Sequence, residues 1–510
     1  MFLLNNFAFD SRVEREASTL AAAGFDVTVL AVRYGGLPAC EERHGVVVKR
    51  VSPPDLRPGR LPLGFLGLLL TPFSLVWVLA SWLHHHLGLL LRVLSKWTKA
   101  AFAALHKLLN DLLRFSIRAR FLGENQQVNA IGRMVRRVAA LLRKEGRYAI
   151  RLMRRVSRRL SRGVHRTYRM TIYGPIRSIK RRGVRTAKSW AKQIAKQLLP
   201  IWLAKAGIAE RADIYHANDM NVLFAAFVAA RVARGRLVYD SHELWIERNV
   251  RGGLSPREKA RIKRVEGFLI RRVDAVMTVN PSIAVELSHM YQVPQPYVVM
   301  NCPSYVNVDE MQDVGVNHIP RPPGRKVLLY LGRISFGRGL EPLIAAVARL
   351  NAVDVVLMGN GRRDFIDWLR KYACERKIQD RIHIVDPVPF DQVVPTAAQA
   401  DVGMVLFQNT CLSYYYSLPT KLFECINAGL PVIVSDFPDM ARIVRDYSIG
   451  ISCDPDDPAS IAHAIQEMFA DPVRYEQMRR NTREAAKVFN WENEGAKLVH
   501  LYRTLLAERG

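Results

Sequence analysis

Two runs in the C-terminal half have residue types and spacing suited to holding a polyanion that also carries hydroxyl groups. The first is Gly332-Arg333-Ile334-Ser335-Phe336-Gly337-Arg338-Gly339-Leu340, which leads from an apolar strand into a helical pattern. Glycines let a backbone approach phosphate closely, a helix N-terminus offers free N–H groups, and Arg333 and Arg338 can neutralise a diphosphate. The second is Ser417-Leu418-Pro419-Thr420-Lys421-Leu422-Phe423-Glu424. A helix starting at the proline puts Lys421 in its first turns and Glu424 at i+3, so cation and carboxylate share a face. The lysine can reach phosphate, and the carboxylate can accept both hydroxyls of a ribose. Taken alone, each run also fits a surface turn or an ordinary ion pair. A third group, His216, Asn218, Asp219, His242 and Glu243, gathers at the ends of apolar segments. The literal Asp-x-Asp at Asp454-Pro455-Asp456 precedes the helical stretch ASIAHAIQEMF, reads as a turn and N-cap, and gives no reason to expect a metal.

The elements around these residues alternate strand and helix. The chain opens with FLL, then a helix expected to start at the capping box Ser11-Arg12-Val13-Glu14, with Val13, Ala17, Leu20 and Ala21 on one face and Gly24 as its stop. FDVTVLAV follows as a strand. Alternation resumes with ADIYHAND, the helix NVLFAAFVAARVA, RLVYDSHE, DAVMTVN and PYVVMNCP. After a Pro-rich linker near residues 319–324 come KVLLYLG, VDVVLMG, RIHIV, VGMVLF and PVIVSD, with a helix between each pair. Open α/β sheets bind ligands beyond the C-terminal ends of their strands, where every candidate above lies. The expected fold is α/β: two Rossmann-like, doubly wound domains facing a cleft, with a long basic and hydrophobic helical insertion in the N-terminal one. The expected boundaries are 1–60 and 206–318 for the first domain, 61–205 for the insertion, and 319–485 for the second domain. Residues 486–510 are expected to form a helix crossing back to the first domain.

The chain has 510 residues and a net charge of +29. Residues 91–205 hold 30 Lys and Arg against Asp111, Glu124 and Glu145, so the basicity belongs to one segment and the remainder is nearly neutral. Residues 61–91 carry no formal charge, long enough to span a bilayer. A single crossing would put 1–60 and 206–510 on opposite sides, so a re-entrant or surface-lying hairpin is expected instead. From Arg92, Lys96, Lys99 and Lys107 share one helical face and leucines with Trp97 and Phe102 the other, the pattern of a helix lying among anionic headgroups. A bundle helix with a solvated basic face is the plain alternative. Aromatics are too sparse among these basic residues for nucleic-acid binding. The six cysteines show no CxxC or metal spacing, and Met1 to Asn6 lacks a secretory start. A cytoplasmic protein attached peripherally or monotopically to the inner face of a membrane is expected.

With these motifs in order, the sequence resembles the family-four retaining glycosyltransferases, also called group 1. The resemblance rests on the GR…RG loop, the PTKLFE helix, D-x-R-V at Asp10 to Val13, YHAND at Tyr215 to Asp219, and YDSHE at Tyr239 to Glu243. N-x-P at Asn301 to Pro303, MGNG at Met358 to Gly361, and Ala400-Asp401 add to it. It covers residues 1–60 and 206–510 and implies a GT-B enzyme that moves a sugar from a nucleotide-diphosphate donor to a glycan or lipid-linked acceptor, with retention of configuration and no required cofactor or metal. It puts Arg333, Arg338 and Lys421 on the donor phosphates and Glu424 on the ribose, with Gly332 and Gly361 giving close backbone approach. His216, Asp219 and His242 would line the acceptor side near the transferred sugar. The chain departs from the family at Tyr416, where a glutamate is usual, and at Asn218, where many members have histidine. Two rivals remain from the residues alone: a nucleotide-sugar epimerase of the same fold, and a non-catalytic membrane or nucleic-acid tether on a transferase scaffold.

Overall fold

The computed structural model describes residues 1–52 and 198–508, apart from 9, 35, 251–252, 309 and 311–318. Met1–Pro53 and Leu198–Gly510 form one compact unit. The uncharged stretch, the basic helices and the membrane-seeking face expected over 61–196 lie outside the described residues. Among the described residues no helix is long and apolar enough to cross a membrane.

The first sheet is built around the N-terminal residues. Strand β1 (Val27–Val32) pairs in parallel with β3 (Val46–Val51), and β3 pairs antiparallel with β2 (Cys40–Arg43). His44 and Gly45 join that hairpin with φ of 51° and 73°, the two positive angles that a tight two-residue turn needs. On the other side β4 (Ile214–Asn218), β5 (Arg236–Ser241), β6 (Ala275–Thr278) and β7 (Tyr297–Val298) run parallel. Phe2 bridges the halves, pairing with Leu30 and with Ala217, so the FLL strand survives as a short central bridge. The helix Ser11–Ala22 is capped by Asp10, whose carboxylate accepts from the Val13 N–H, and not by Ser11 as expected; Glu14 faces Arg43 instead.

The second sheet is wholly parallel and has six strands: β8 (Lys326–Leu331), β9 (Val353–Met358), β10 (Ile382–Val385), β11 (Val402–Val405), β12 (Val432–Ser435) and β13 (Gly450–Cys453). Its order is β10-β9-β8-β11-β12-β13. The direction of winding reverses between β8 and β11, which opens a crevice at their C-terminal ends. Apolar clusters cover both faces of each sheet, as strands buried on two sides require.

The last helix, Trp491–Ala507, lies on the helix Ser11–Ala22, with the Trp491 indole N–H donating to the Thr19 hydroxyl at 2.7 Å. Away from this crossover the two sheets' layers also touch directly. Ser413 donates to the Leu244 carbonyl at 3.0 Å, Asn280 to the Tyr416 carbonyl at 2.8 Å, and the Ser282 N–H to Asp439 at 3.0 Å. Leu412 and Tyr416 pack against the first sheet's apolar cluster. That explains an aromatic at position 416: its ring fills the contact between the two layers.

Candidate active site

The crevice at β8 holds a pocket of about 580 Å³ lined by Gly332, Arg333, Gly359, Asn360, Gly361 and Glu424, with Pro387, Val388 and Val393 on one wall. Two glycines make its floor. Gly359 (φ 154°) passes so close to the end of β8 that a Cβ there would stand 1.9 Å from the Gly332 carbonyl oxygen. Gly332 (φ 109°) leaves open the space that Lys421 uses: the ammonium lies 3.4 Å from where a Gly332 Cβ would be. Gly361 pairs with Ile334 and would also clash if it carried a side chain.

Lys421 lies in the helix Thr420–Asn427, which opens after Pro419 as the sequence suggests. It is only 9% exposed, 4.2 Å above the Tyr330 ring and 5.2 Å from that of Phe407, and among the described residues has no ion-pair partner within salt-bridge distance. Burial, reinforced by the nearby Arg338 guanidinium, pulls its pKa down to about 7, with Glu424 opposing. Glu424 is pushed up by burial, against the pull of Lys421 and Arg15. Arg338 stacks on Phe407 (4.2 Å) and Tyr414 (4.8 Å), and its Nε is buried without a hydrogen-bond partner among the described residues. Arg333 is exposed at the pocket rim. Arg333 at the rim, Lys421 beside the Gly332 backbone and Arg338 near it put positive charge and an unused donor next to a backbone cradle, an arrangement that suits a diphosphate.

On the first sheet the three expected polar residues separate. Asp219 and His242 come together at the strand ends. Asp219 has φ 70°, rare for a residue with a side chain, and leaves the helix Met220–Ala233 uncapped; its carboxylate accepts instead from the His242 N–H at 3.2 Å and stands 3.4 Å from His242 Nδ1. The other ring nitrogen of His242 lies 2.8 Å from Asp240. Burial works against a charge on this imidazole, yet Asp219 and Asp240 hold its pKa well above the usual histidine range. With 24% of its side chain exposed, the ring reaches solvent between the two carboxylates that favour its charged form.

His216 does not line the cleft. It is 1% exposed, its Nδ1 2.7 Å from the Tyr502 hydroxyl, because its side chain leaves β4 on the face covered by the last helix. Below it lies a network that the sequence reading missed. Arg12 donates from Nε and Nη2 to Asp240 at 3.0 Å, from Nη1 to the Val299 carbonyl at 3.0 Å, and its Nε lies 2.9 Å from Glu16. Glu16, His216 and Asp240 place one ligand atom each within 4.8 Å of one another, a set that could hold a metal. Here the Arg12 guanidinium already supplies the cation between the two carboxylates. Asp454 accepts from the Asp456 N–H at 2.9 Å, the turn that the Asp-x-Asp run suggested, but the cap of the helix Pro458–Ala470 is the next residue, Asp457.

Comparison with known proteins bears on what this site belongs to. The family model of group 1 glycosyl transferases matches residues 316–487, and that of glycosyltransferase family 4 matches residues 131–303. The chain is 24% identical over 307 residues to the glycogen synthase of Mycobacterium tuberculosis (strain H37Rv), covering 59% of this chain and 70% of that one. It is 22% identical over 340 residues to an uncharacterized glycosyltransferase of Methanocaldococcus jannaschii, covering 63% and 82%. A sucrose-phosphate synthase from Thermosynechococcus elongatus has the same fold, with a TM-score of 0.58 at 17% identity over 99% of this chain and 98% of that one. The two family models match consecutive stretches of the chain, and the chain belongs to the group 1 glycosyltransferases, with their GT-B fold.

Proposed function

We propose that this glycosyltransferase takes a nucleotide-diphosphate sugar as donor, needs no metal or other cofactor, and transfers the sugar with retention of configuration. The observation that carries this is the pocket at β8, where a glycine backbone cradle, the Arg333 rim, the unpaired Lys421 ammonium and the Glu424 carboxylate converge. In this reading Lys421, Arg333 and Arg338 neutralise the diphosphate and stabilise it as a leaving group, in place of a cation. Glu424 accepts the ribose hydroxyls, and Gly332 and Gly361 let the backbone approach. Asp219 and His242 face the transferred sugar from the first domain, with His216 acting from behind them. Retention follows from a same-face substitution in which the departing diphosphate oxygen takes the acceptor's proton. The glycogen synthase among the relatives supports a sugar hydroxyl as acceptor.

The test is a panel of UDP-, GDP- and ADP-sugars, with EDTA present, followed by calorimetric binding and by NMR of the product anomer, and with Glu424→Ala alongside. Saturable binding of one donor, lost in the variant, is expected. No binding of any member by folded protein sinks the donor reading and favours the tether.

We further propose that residues 61–205 attach the enzyme to the inner face of an anionic membrane, where a glycan or lipid-linked acceptor of envelope polysaccharide or glycolipid synthesis is presented. The support is compositional: 27 net positive charges and an uncharged run of 31 residues in one segment. Full-length protein is expected to co-float with phosphatidylglycerol vesicles at low salt and much less with phosphatidylcholine vesicles. Equal flotation with both removes the electrostatic part of this idea, and flotation with neither removes all of it.

A further inference from the structure

A second arginine of the helix Ser11–Ala22 stands where the domains meet. Arg15 is 8% exposed, and its neighbours come from four places in the chain. Its Nη2 donates to Asn301 Oδ1, in the segment that leaves the first domain. Its guanidinium lies 5.4 Å from the ring of Trp491, where the last helix returns, and 5.3 Å from that of Phe390, which belongs to the second domain's segment after β10. The fourth neighbour is electrostatic: Glu424, the carboxylate at the pocket wall, offsets the burial and the like charge of Arg12 that weigh against this cation.

What makes the position informative is the unused bonding capacity. Among the described residues Arg15 Nε and Nη1 are buried and have no hydrogen-bond partner, and a buried donor left without an acceptor is destabilising. Aromatic rings on two sides hold the guanidinium plane, so the side chain is not free to turn elsewhere. A buried, underused donor packed on Phe390, in the segment whose Pro387, Val388 and Val393 wall the pocket that Glu424 also lines, suits a ligand group that can accept from the arginine and donate to the carboxylate. A hydroxyl does both.

We infer that Arg15, from the acceptor domain, completes the donor site by donating an N–H to the oxygen of the ribose hydroxyl whose hydrogen goes to Glu424. This rests on the donor reading above and extends it, because it makes nucleotide binding span both domains. The sugar ring of the nucleotide is then recognised as ribose by two groups of opposite polarity, and occupancy of the pocket ties Ser11–Ala22 to Thr420–Asn427.

The test is a thermodynamic cycle on the full-length chain. The diphosphate that binds best among UDP, GDP and ADP is titrated calorimetrically against the parent protein and Arg15→Met, together with its 2′-deoxy and 3′-deoxy forms. Arg15→Met is expected to weaken the ribonucleotide about 10- to 150-fold, the range of a charge-assisted hydrogen bond, and to weaken one deoxy form little. Thermal melts check that the variant is folded, and Arg15→Lys, which keeps the charge but not the fork, serves if Arg15→Met does not fold. Equal weakening of all three ligands, or none, overturns the inference. If the parent protein binds these ligands and Glu424→Ala binds them as well, the donor reading itself fails instead.

Discussion

Replacing Lys421 with methionine is expected to give a protein that is more stable near neutral pH and that binds nucleoside diphosphate about 10- to 150-fold more weakly. Both effects have one source. The ammonium is buried over aromatic rings beside Arg338, with no anion in bonding range among the described residues, and its pKa falls from 10.5 to about 7. Below pH 7 the folded chain must keep a proton in an unfavourable place, so the cost is present in full and amounts to several kcal/mol. Between pH 7 and 10.5 the folded chain gives up that proton before the unfolded chain does, and the cost is relieved. The stability gained by Lys421→Met should therefore be largest near pH 6 and fade toward pH 10, read by chemical denaturation. Binding has the opposite sign. A diphosphate favours the charged lysine, so the parent protein should take up a proton on binding above pH 7 and lose affinity as pH rises further. Calorimetry in buffers of different ionisation enthalpy measures that proton, and it should vanish in the variant. A variant that is no more stable, yet binds as before, would remove Lys421 from the site.

A residue that weakens the fold where it serves a ligand is the kind of exception through which a site becomes visible. In the sequence, Lys421 and Glu424 could have been a surface pair; only burial without a partner separates the two readings. The second sheet was mostly legible, because its strands are runs of Val, Ile and Leu bounded by glycine or polar residues. Strand β13, Gly450–Cys453, was not read from the sequence, since a four-residue, half-buried edge strand has too little apolar character to stand out. The β2–β3 hairpin was missed for a related reason: Cys40–Arg43 is charged and exposed, and only the His44-Gly45 turn marked it.

The first domain's polar residues were harder to place, and one cause explains most of it. The helix Ser11–Ala22 is covered by the sheet on one side and by Trp491–Ala507 on another, so its buried surface is wider than its apolar stripe. Arg12 and Glu16 flank that stripe and Arg15 lies on the face opposite it, and all three would be solvent-facing on a helix with one covered side. His216 was misplaced because Tyr502, 286 residues away, covers the face of β4 from which it projects. Local pattern marks the ends of strands well. It does not say which polar residues a distant helix will enclose.

That enclosed network supports the second large expected effect. Asp240→Ala should destabilise the protein by about 3–5 kcal/mol, the range for removing one partner of a buried ion pair. Asp240 is fully buried, and although burial opposes its charge, Arg12, His242 and His216 hold its pKa well below the carboxylate range. Its removal leaves Arg12 with Glu16 alone and His242 with Asp219 alone. Glu16 is pushed up to about 8, first by burial and then by Asp240. With Asp240 gone, Glu16 should ionise more readily and take over part of the pairing, so Asp240→Ala and Glu16→Gln should be non-additive. The pH dependence follows from the signs. Glu16 and His242 both have folded pKa values above their unfolded ones, so each contributes stability at low pH that is lost as pH rises through the folded value. Asp240 strengthens both contributions. The stability difference between parent and Asp240→Ala should therefore be greatest near pH 5 and shrink toward pH 9, as read by urea denaturation across that range. In the variant the His242 resonance should titrate at lower pH by NMR. A difference that is flat with pH would show that Asp240 sustains Arg12 alone. The charge state of His242 at the cleft would then rest on Asp219, the residue that adopts a positive φ beside it.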